Sequence, residues 1–106
     1  MKPGWIFPIA AALLAGISVP ASAATLRITM ENLVISPADA SAKVGDTVEW
    51  INKDVFVHTA TARNGDFDVN MPAKKTVTSV LKKAGTTEYY CRFHPNMKGR
   101  IVVSAP

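Results

Sequence analysis

The chain has 106 residues, with 12 Lys and Arg against 8 Asp and Glu, and its formal net charge is +4. Because the basic residues are scattered rather than clustered with aromatic residues, the composition argues against nucleic-acid binding. This length suits one small domain, whose thin core a bound metal would help to stabilise.

The N-terminus has the three parts of a secretory signal peptide, over residues 1–23. Lys2 provides the positive start, an apolar segment follows over 5–17, and Ala21-Ser22-Ala23 is a small-residue cleavage site. An uncleaved membrane anchor is the alternative, but the apolar run is short for a bilayer. We therefore expect 24–106 to be a single exported domain, without a membrane anchor, in a bacterial periplasm.

The rest of the chain predicts strands rather than helices. Leu26, Ile28 and Met30 alternate with polar residues, which is the period of a half-buried strand. Turn signals such as Gly45-Asp46 and Asn64-Gly65 separate the β-prone runs. The main predicted strand segments are 26–30, 33–35, Thr47–Asn52, 55–62, 75–81, 86–91 and 99–103. About eight short strands of this kind predict an all-β sandwich.

The most informative segment runs from 91 to 97. It places a thiol, an imidazole and a thioether three residues apart, at Cys91, His94 and Met97. Cys91 is the single cysteine of the chain, so it forms no intrachain disulfide, and His58 is the other of two histidines. In an oxidising compartment a lone cysteine is paired between chains, reactive, buried or metal-bound. The neighbouring His and Met favour the metal.

Two His, one Cys and one Met are the ligand set of a blue-copper electron-transfer site. The Cys91 thiolate with His58 and His94 would form a trigonal plane, and Met97 would be a long, weak axial ligand. Soft sulfur favours Cu(I) and imidazole serves both oxidation states, so the set suits one copper ion alternating between Cu(I) and Cu(II). Because no coordination position stays open, we expect one-electron transfer without enzymatic activity.

Apolar neighbours of the ligands predict a docking surface. Phe93 and Pro95 would surround the exposed edge of His94, through which electrons would pass, and Met71-Pro72 would join the same patch. Positive charge near the ligands would favour Cu(I) and raise the reduction potential. The residues that would supply it are Arg92, Lys98 and Arg100.

The chain resembles the cupredoxin family of small blue copper proteins. The segments that carry the similarity are 45–52, 54–59 and 89–103. The compact spacing of the ligand loop is similar to that of amicyanins, whereas the related plastocyanins and pseudoazurins have longer loops. The resemblance implies an eight-stranded Greek-key sandwich and a periplasmic electron carrier. It also implies redox-protein partners, with a dehydrogenase as donor and a c-type cytochrome as acceptor; we expect a monomer.

Three positions depart from the family pattern. Thr59 stands where the family usually has an Asn that ties the two ligand loops together, and its hydroxyl could replace part of that link. Val57 replaces a common Pro, and Thr87 replaces a common Tyr.

Other functions remain open at the level of sequence. A periplasmic copper chaperone or resistance protein would use the same metal, although such proteins often carry Met-rich or His-rich stretches. A thiol enzyme with Cys91 as nucleophile and His94 as base would leave Met97 without a role. A structural zinc site is a further alternative, but zinc does not usually recruit Met.

Overall fold

The computed structural model describes residues 23–106, which form nine strands and no helix. The strands are β1 (Thr25–Glu31), β2 (Val34–Ser36), β3 (Asp39–Lys43), β4 (Thr47–Asn52), β5 (His58–Ala62), β6 (Asp68–Met71), β7 (Thr76–Val80), β8 (Gly85–Cys91) and β9 (His94–Ser104). The predicted signal peptide lies outside the described residues except for its last residue, Ala23. Within the described part of the chain, no helix is long and apolar enough to cross a membrane.

The strands form two sheets, which confirms the predicted all-β sandwich. One sheet has four strands in the order β2-β1-β4-β7, and the other has five in the order β3-β9-β8-β5-β6. Most neighbours are antiparallel, but β1 pairs with β4 and β3 pairs with β9 in parallel. The strands that contribute the candidate ligands, β5, β8 and β9, are therefore adjacent in one sheet.

The two largest buried side chains, Trp50 and Tyr89, come one from each sheet and meet in the core between them. In β4 the side chains alternate between half-buried and buried, so Val48 and Trp50 face inward together, as their spacing predicts. The Trp50 ring meets the Tyr89 ring edge-on, with centroids 5.2 Å apart, and its indole N–H donates to Ser79 Oγ at 2.9 Å. Such edge-on contacts add to the free energy gained by burial.

Two strands were not predicted, so residues 23–106 form nine strands rather than about eight. The first, β3, contains no large apolar residue; it exists because its backbone pairs in parallel with β9. The second, β6, is only four residues long and pairs with β5. The strand β3 gives no local periodic signal, since it is specified mainly by its distant partner β9. The strand β6 does alternate, with Val69 and Met71 buried, but the pattern covers only four residues.

Two predicted boundaries next to the candidate ligands were also wrong. The strand expected over 55–62 begins only at His58, because 55–57 belong to an exposed loop. The last strand, expected over 99–103, begins at His94. Cys91 and His94 are therefore the last and first residues of paired strands rather than members of one loop.

A close approach between β8 and β9 requires glycine at position 99. Gly99 is paired with Tyr89, and a methyl group at this position would lie 2.5 Å from Tyr89 Cζ and 2.9 Å from Cε1. The ring cannot retreat freely because Trp50 packs against it. We expect Gly99→Ala to lower the free energy of unfolding by about 1–3 kcal/mol, measured by urea denaturation.

Val102→Ala is the matched control for this substitution. Val102 lies on the same strand with its side chain 42% exposed, so its truncation should cost less than about 1 kcal/mol. Equal losses in the two variants would contradict the steric explanation.

Candidate metal centre

The loop from β4 to β5 is organised by the side chain of Asn52, which is buried at its start. The Asn52 amide donates to the carbonyl oxygens of Phe56 at 2.8 Å and Met71 at 3.1 Å. Its oxygen accepts a hydrogen bond from the Asp54 amide at 2.9 Å. One side chain thus replaces the missing sheet partners of this loop, and it sets where β5 and His58 begin.

Asp54 holds the imidazole of His58. Its carboxylate accepts from His58 Nε2 at 2.8 Å and from the backbone amides of Asn32 at 2.7 Å and Leu33 at 3.1 Å. Burial by itself would raise the pKa of Asp54, but these hydrogen bonds outweigh it and hold the pKa below its ordinary value. A carboxylate that accepts from Nε2–H leaves the lone pair on Nδ1 available to a metal.

A tight turn brings Cys91 and His94 together at the end of the β8–β9 ladder. Only Arg92 and Phe93 separate the two residues, which are paired across the strands. Tyr90 pairs with Lys98, so the ladder skips 95–97 at the irregularity between Tyr90 and Cys91. Bulges of this kind redirect side chains at functional sites.

Three predicted ligands converge at this end of the sandwich. The Cys91 sulfur lies 3.7 Å from Nδ1 of His58 and 3.7 Å from Nδ1 of His94. The three donor atoms all lie within 4.8 Å of one another, and the two imidazole rings are 73° apart in orientation. The structure therefore selects the same nitrogen, Nδ1, on both histidines.

The spacing of these donors fits a metal ion. First-row metal bonds of about 2.0 Å to imidazole nitrogen and about 2.3 Å to thiolate sulfur, set 120° apart, leave nitrogen and sulfur about 3.7 Å from each other. This matches both sulfur–nitrogen distances. Because Cys91 is fully buried, water cannot readily reach its sulfur and compete for the metal.

Met97 occupies the skipped segment of β9. Its side chain is only 3% exposed and belongs to the same buried cluster as Cys91. The structure thus brings His58, Cys91 and His94 into one cluster and places Met97 in the core beside it, three residues after His94. A soft thioether in this position suits Cu(I).

Thr59 links the two ligand segments, as its hydroxyl was expected to do. The Thr59 hydroxyl accepts from the Arg92 amide at 2.9 Å, and the Thr59 amide donates to the Cys91 sulfur at 3.4 Å. The first bond ties β5 to the turn after Cys91, and the second offers the thiolate a hydrogen bond.

Asp54 and Phe56 contact the candidate ligands but were not predicted as site residues. The Phe56 ring lies against both imidazoles, with centroids 5.8 Å from His94 and 6.5 Å from His58, and the side chain is 49% exposed. Both residues belong to an irregular loop, where no periodicity indicates which way a side chain points. A carboxylate four residues before a candidate ligand was the only available signal.

The predicted surroundings of His94 are partly confirmed. Phe93 and Pro95 are exposed beside the half-buried His94, whereas Met71 is fully buried and does not belong to the surface patch. The predicted positive charge is largely offset, because Arg92 lies 3.7 Å from Asp68 and Arg100 lies 3.0 Å from Asp39. Lys98 is exposed on the same strand.

Comparison with known proteins agrees with this fold and cluster. A family model for the cupredoxin-like domain matches residues 4–103. Amicyanin from Paracoccus versutus is 30% identical over 91% of this chain and 72% of that protein. The methylamine utilization protein MauL from Methylorubrum extorquens is 27% identical over 87% of this chain and 84% of that protein.

The solved structures lead to the same family. The crystal structure of Paracoccus versutus amicyanin superposes with a TM-score of 0.65 at 27% identity, covering 81% of this chain and 85% of that one. The similarity to amicyanin and the cluster of His58, Cys91 and His94 both agree with the predicted copper cofactor. The chain belongs to the cupredoxin-like family.

Proposed function

We propose that this protein is a periplasmic one-electron carrier with a type 1 copper centre held by His58, Cys91, His94 and Met97. The observation that carries the proposal is the convergence of one buried sulfur and two Nδ1 atoms, with 3.7 Å from the sulfur to each nitrogen. The bound copper would accept one electron as Cu(II) and release it as Cu(I).

The protein's part is to hold these donors in place. Asp54 orients His58, and the two amide–side-chain bonds of Thr59 connect His58's strand to Cys91 and to the turn beyond it. These contacts are made by protein groups alone, so they would hold the donors in position when the charge at the centre changes. A framework that moves little favours fast electron transfer, and preorganisation of this kind lowers the cost of binding the metal.

The burial of Cys91 separates this proposal from a thiol enzyme. A nucleophilic sulfur must reach its substrate, but the Cys91 side chain is 0% exposed. Its two imidazole neighbours also serve better as fellow ligands than as duplicate bases. A copper-handling protein would use the same donors, and it is distinguished by how readily it releases the metal.

We further propose export by a signal peptide over 1–23, leaving 24–106 as a monomeric cupredoxin-like domain. Relatives named amicyanin and methylamine utilization protein MauL support redox proteins as partners. By analogy with amicyanins, the donor would be a dehydrogenase and the acceptor a c-type cytochrome.

The docking surface would be the apolar patch around His94, formed by Phe56, Phe93 and Pro95. Phe93 is 57% exposed, and Phe56 reaches from the surface to both imidazoles. Exposed apolar groups arranged around a half-buried ligand offer a partner a short route to the metal and a surface that is easily desolvated.

The copper proposal predicts a spectrum. Protein loaded with Cu(II) should show an intense visible band from thiolate-to-copper charge transfer and the paramagnetic-resonance signal of type 1 copper. Cys91→Ser should abolish the band, because the oxygen replaces the sulfur that donates the charge. Both measurements use the same loaded samples.

A colourless Cu(II) complex of the wild-type protein would overturn the electron-carrier proposal. Release of copper to an acceptor within seconds, without a stable blue form, would instead support a copper-handling protein. His58→Ala serves as a second test, since loss of one Nδ1 should also remove the type 1 signal while retaining the thiol.

The docking proposal predicts slower electron exchange between molecules when charge is placed in the patch. Phe93→Asp should reduce the electron self-exchange rate of the copper protein at least about tenfold, because two like charges would meet when two patches dock. The rate is measured by NMR line broadening in mixtures of Cu(I) and Cu(II) protein.

Val102→Asp is the control, since Val102 is exposed on β9 at a distance along the strand from His94. It adds the same charge and should leave the self-exchange rate within about twofold of wild type. An unchanged rate in Phe93→Asp, with its visible spectrum intact, would remove the patch from the electron route.

A further inference from the structure

We infer that Asp68, which lies outside the ligand segments, is a positioning residue for the turn between Cys91 and His94. It acts through a directed chain of hydrogen bonds that passes Thr61 and Thr59. The effect on copper rests on the proposed copper site, but the hydrogen bonds themselves are present without metal.

The chain begins at the turn and ends at a carboxylate. The Arg92 amide donates to the Thr59 hydroxyl at 2.9 Å, the two threonine hydroxyls are 3.0 Å apart, and the Thr61 hydroxyl donates to Asp68 at 2.8 Å. Thr59 and Thr61 are two residues apart on β5, so they share one face. Asp68 is the cross-strand partner of Thr61 on β6.

The direction of every bond follows from proton counting. The ionised carboxylate of Asp68 can only accept, so the single hydroxyl proton of Thr61 points to it. The proton between the two threonines must therefore come from Thr59. With its proton used in this way, the Thr59 oxygen is left as an acceptor, and the Arg92 amide is its donor. Hydrogen bonds aligned head to tail strengthen one another.

The Arg92 side chain closes this chain into a ring. Its guanidinium forms an exposed ion pair with the second oxygen of Asp68 at 3.7 Å. Asp68 therefore faces the Arg92 side chain directly and reaches the Arg92 backbone amide through the two threonine hydroxyls. Because Arg92 follows Cys91 and the Thr59 amide donates to the Cys91 sulfur, loosening the ring would release the turn that sets the sulfur.

Thr61→Val tests the ring without changing charge, and Thr61→Ser keeps the hydroxyl. In metal-free protein, the hydrogen-exchange rate of the Arg92 amide should rise about fivefold to tenfold in Thr61→Val, the scale of one lost hydrogen bond. It should stay within about twofold of wild type in Thr61→Ser. Asp68→Asn should also raise it, and adding Asp68→Asn to Thr61→Val should change little more.

Asp39→Asn is the matched control, because it removes a carboxylate that pairs with Arg100 at 3.0 Å on the same sheet. Unchanged Arg92 exchange in Thr61→Val, or equal effects of Val and Ser at position 61, would overturn the role of the ring. In copper-loaded protein, Thr61→Val should shift the thiolate charge-transfer band and Asp39→Asn should not. The exchange measurement needs no metal, so failure of the copper proposal would be seen separately.

A second, independent observation concerns Ala24, the residue after the predicted cleavage site. We propose that cleavage after Ala23 creates an α-ammonium group that forms an ion pair with the buried carboxylate of Asp46. The Ala24 nitrogen lies 2.9 Å from Asp46 Oδ1. In the precursor this nitrogen is a neutral peptide amide, so processing would convert a neutral donor into a charged one.

The Asp46 carboxylate is built to remain ionised. It accepts hydrogen bonds from the amides of Ala24 and Lys43, and these lower its pKa. The Lys43 ammonium lies 3.6 Å from it. The Ala24 carbonyl in turn accepts from the Thr47 amide at 3.0 Å, so Ala24 is held at both its nitrogen and its carbonyl oxygen. Charge-assisted hydrogen bonds are stronger than neutral ones.

The test compares chains that begin at Ala24 or at Ala23, each with Asp46 or with Asp46→Asn. All nine strands lie within both chains, and the extra residue moves the charged amine away while leaving an amide at Ala24. The unfolding equilibrium constant should rise about tenfold on extension of the wild type, but less than about twofold with Asp46→Asn. Urea denaturation measures both.

If the extra residue Ala23 lowers stability equally with Asp46 and with Asp46→Asn, the proposed ion pair is wrong. Mass spectrometry of the exported protein provides the other test, since cleavage at any bond other than Ala23–Ala24 would remove the ammonium group from this position. Neither measurement depends on copper.

Discussion

The cross-strand pair formed by Cys91 and His94 is the constraint on which the rest of the centre depends. A turn of only two residues joins them, so the sulfur and one imidazole are brought together by backbone geometry before any metal binds. The β8–β9 ladder behind this turn continues to Gly85 and Val103. The third donor, on β5, must come to this fixed pair from elsewhere in the sheet.

His58 is paired with Met71 of β6, but it reaches the Cys91–His94 pair through polar contacts inside the protein rather than through pairing with β8. The registered contacts between β5 and β8 involve only Thr61 and Ala62, so the ladder ends before His58. Beyond that point Asn52 and Asp54 organise the chain, and the Thr59 bonds join it to the turn. The centre is thus held on one side by a sheet and on the other by buried polar groups that are worth most when fully satisfied.

The sequence predicted the features that arise from local periodicity and from chemical identity. The inward face of β4 followed from the alternation around Trp50, and the donor cluster followed from the rarity of Cys and His. It could not predict β3, whose pairing with β9 is a long-range property. Nor could it predict Asp54, because the direction of a side chain in an irregular loop depends on every contact that the loop makes.

The arrangement of charge around the centre limits what can guide its partners. Although the whole chain is basic, Arg92 and Arg100 each face a carboxylate. The opposite charges of such a pair largely cancel, so the pair exerts little electrostatic force on a partner more than a Debye length away. Exposed aromatic groups lie beside the two imidazoles, with the Phe56 ring 5.8 Å from His94 and 6.5 Å from His58 between centroids. Association at this end would therefore depend on desolvation of aromatic surface more than on steering by net charge.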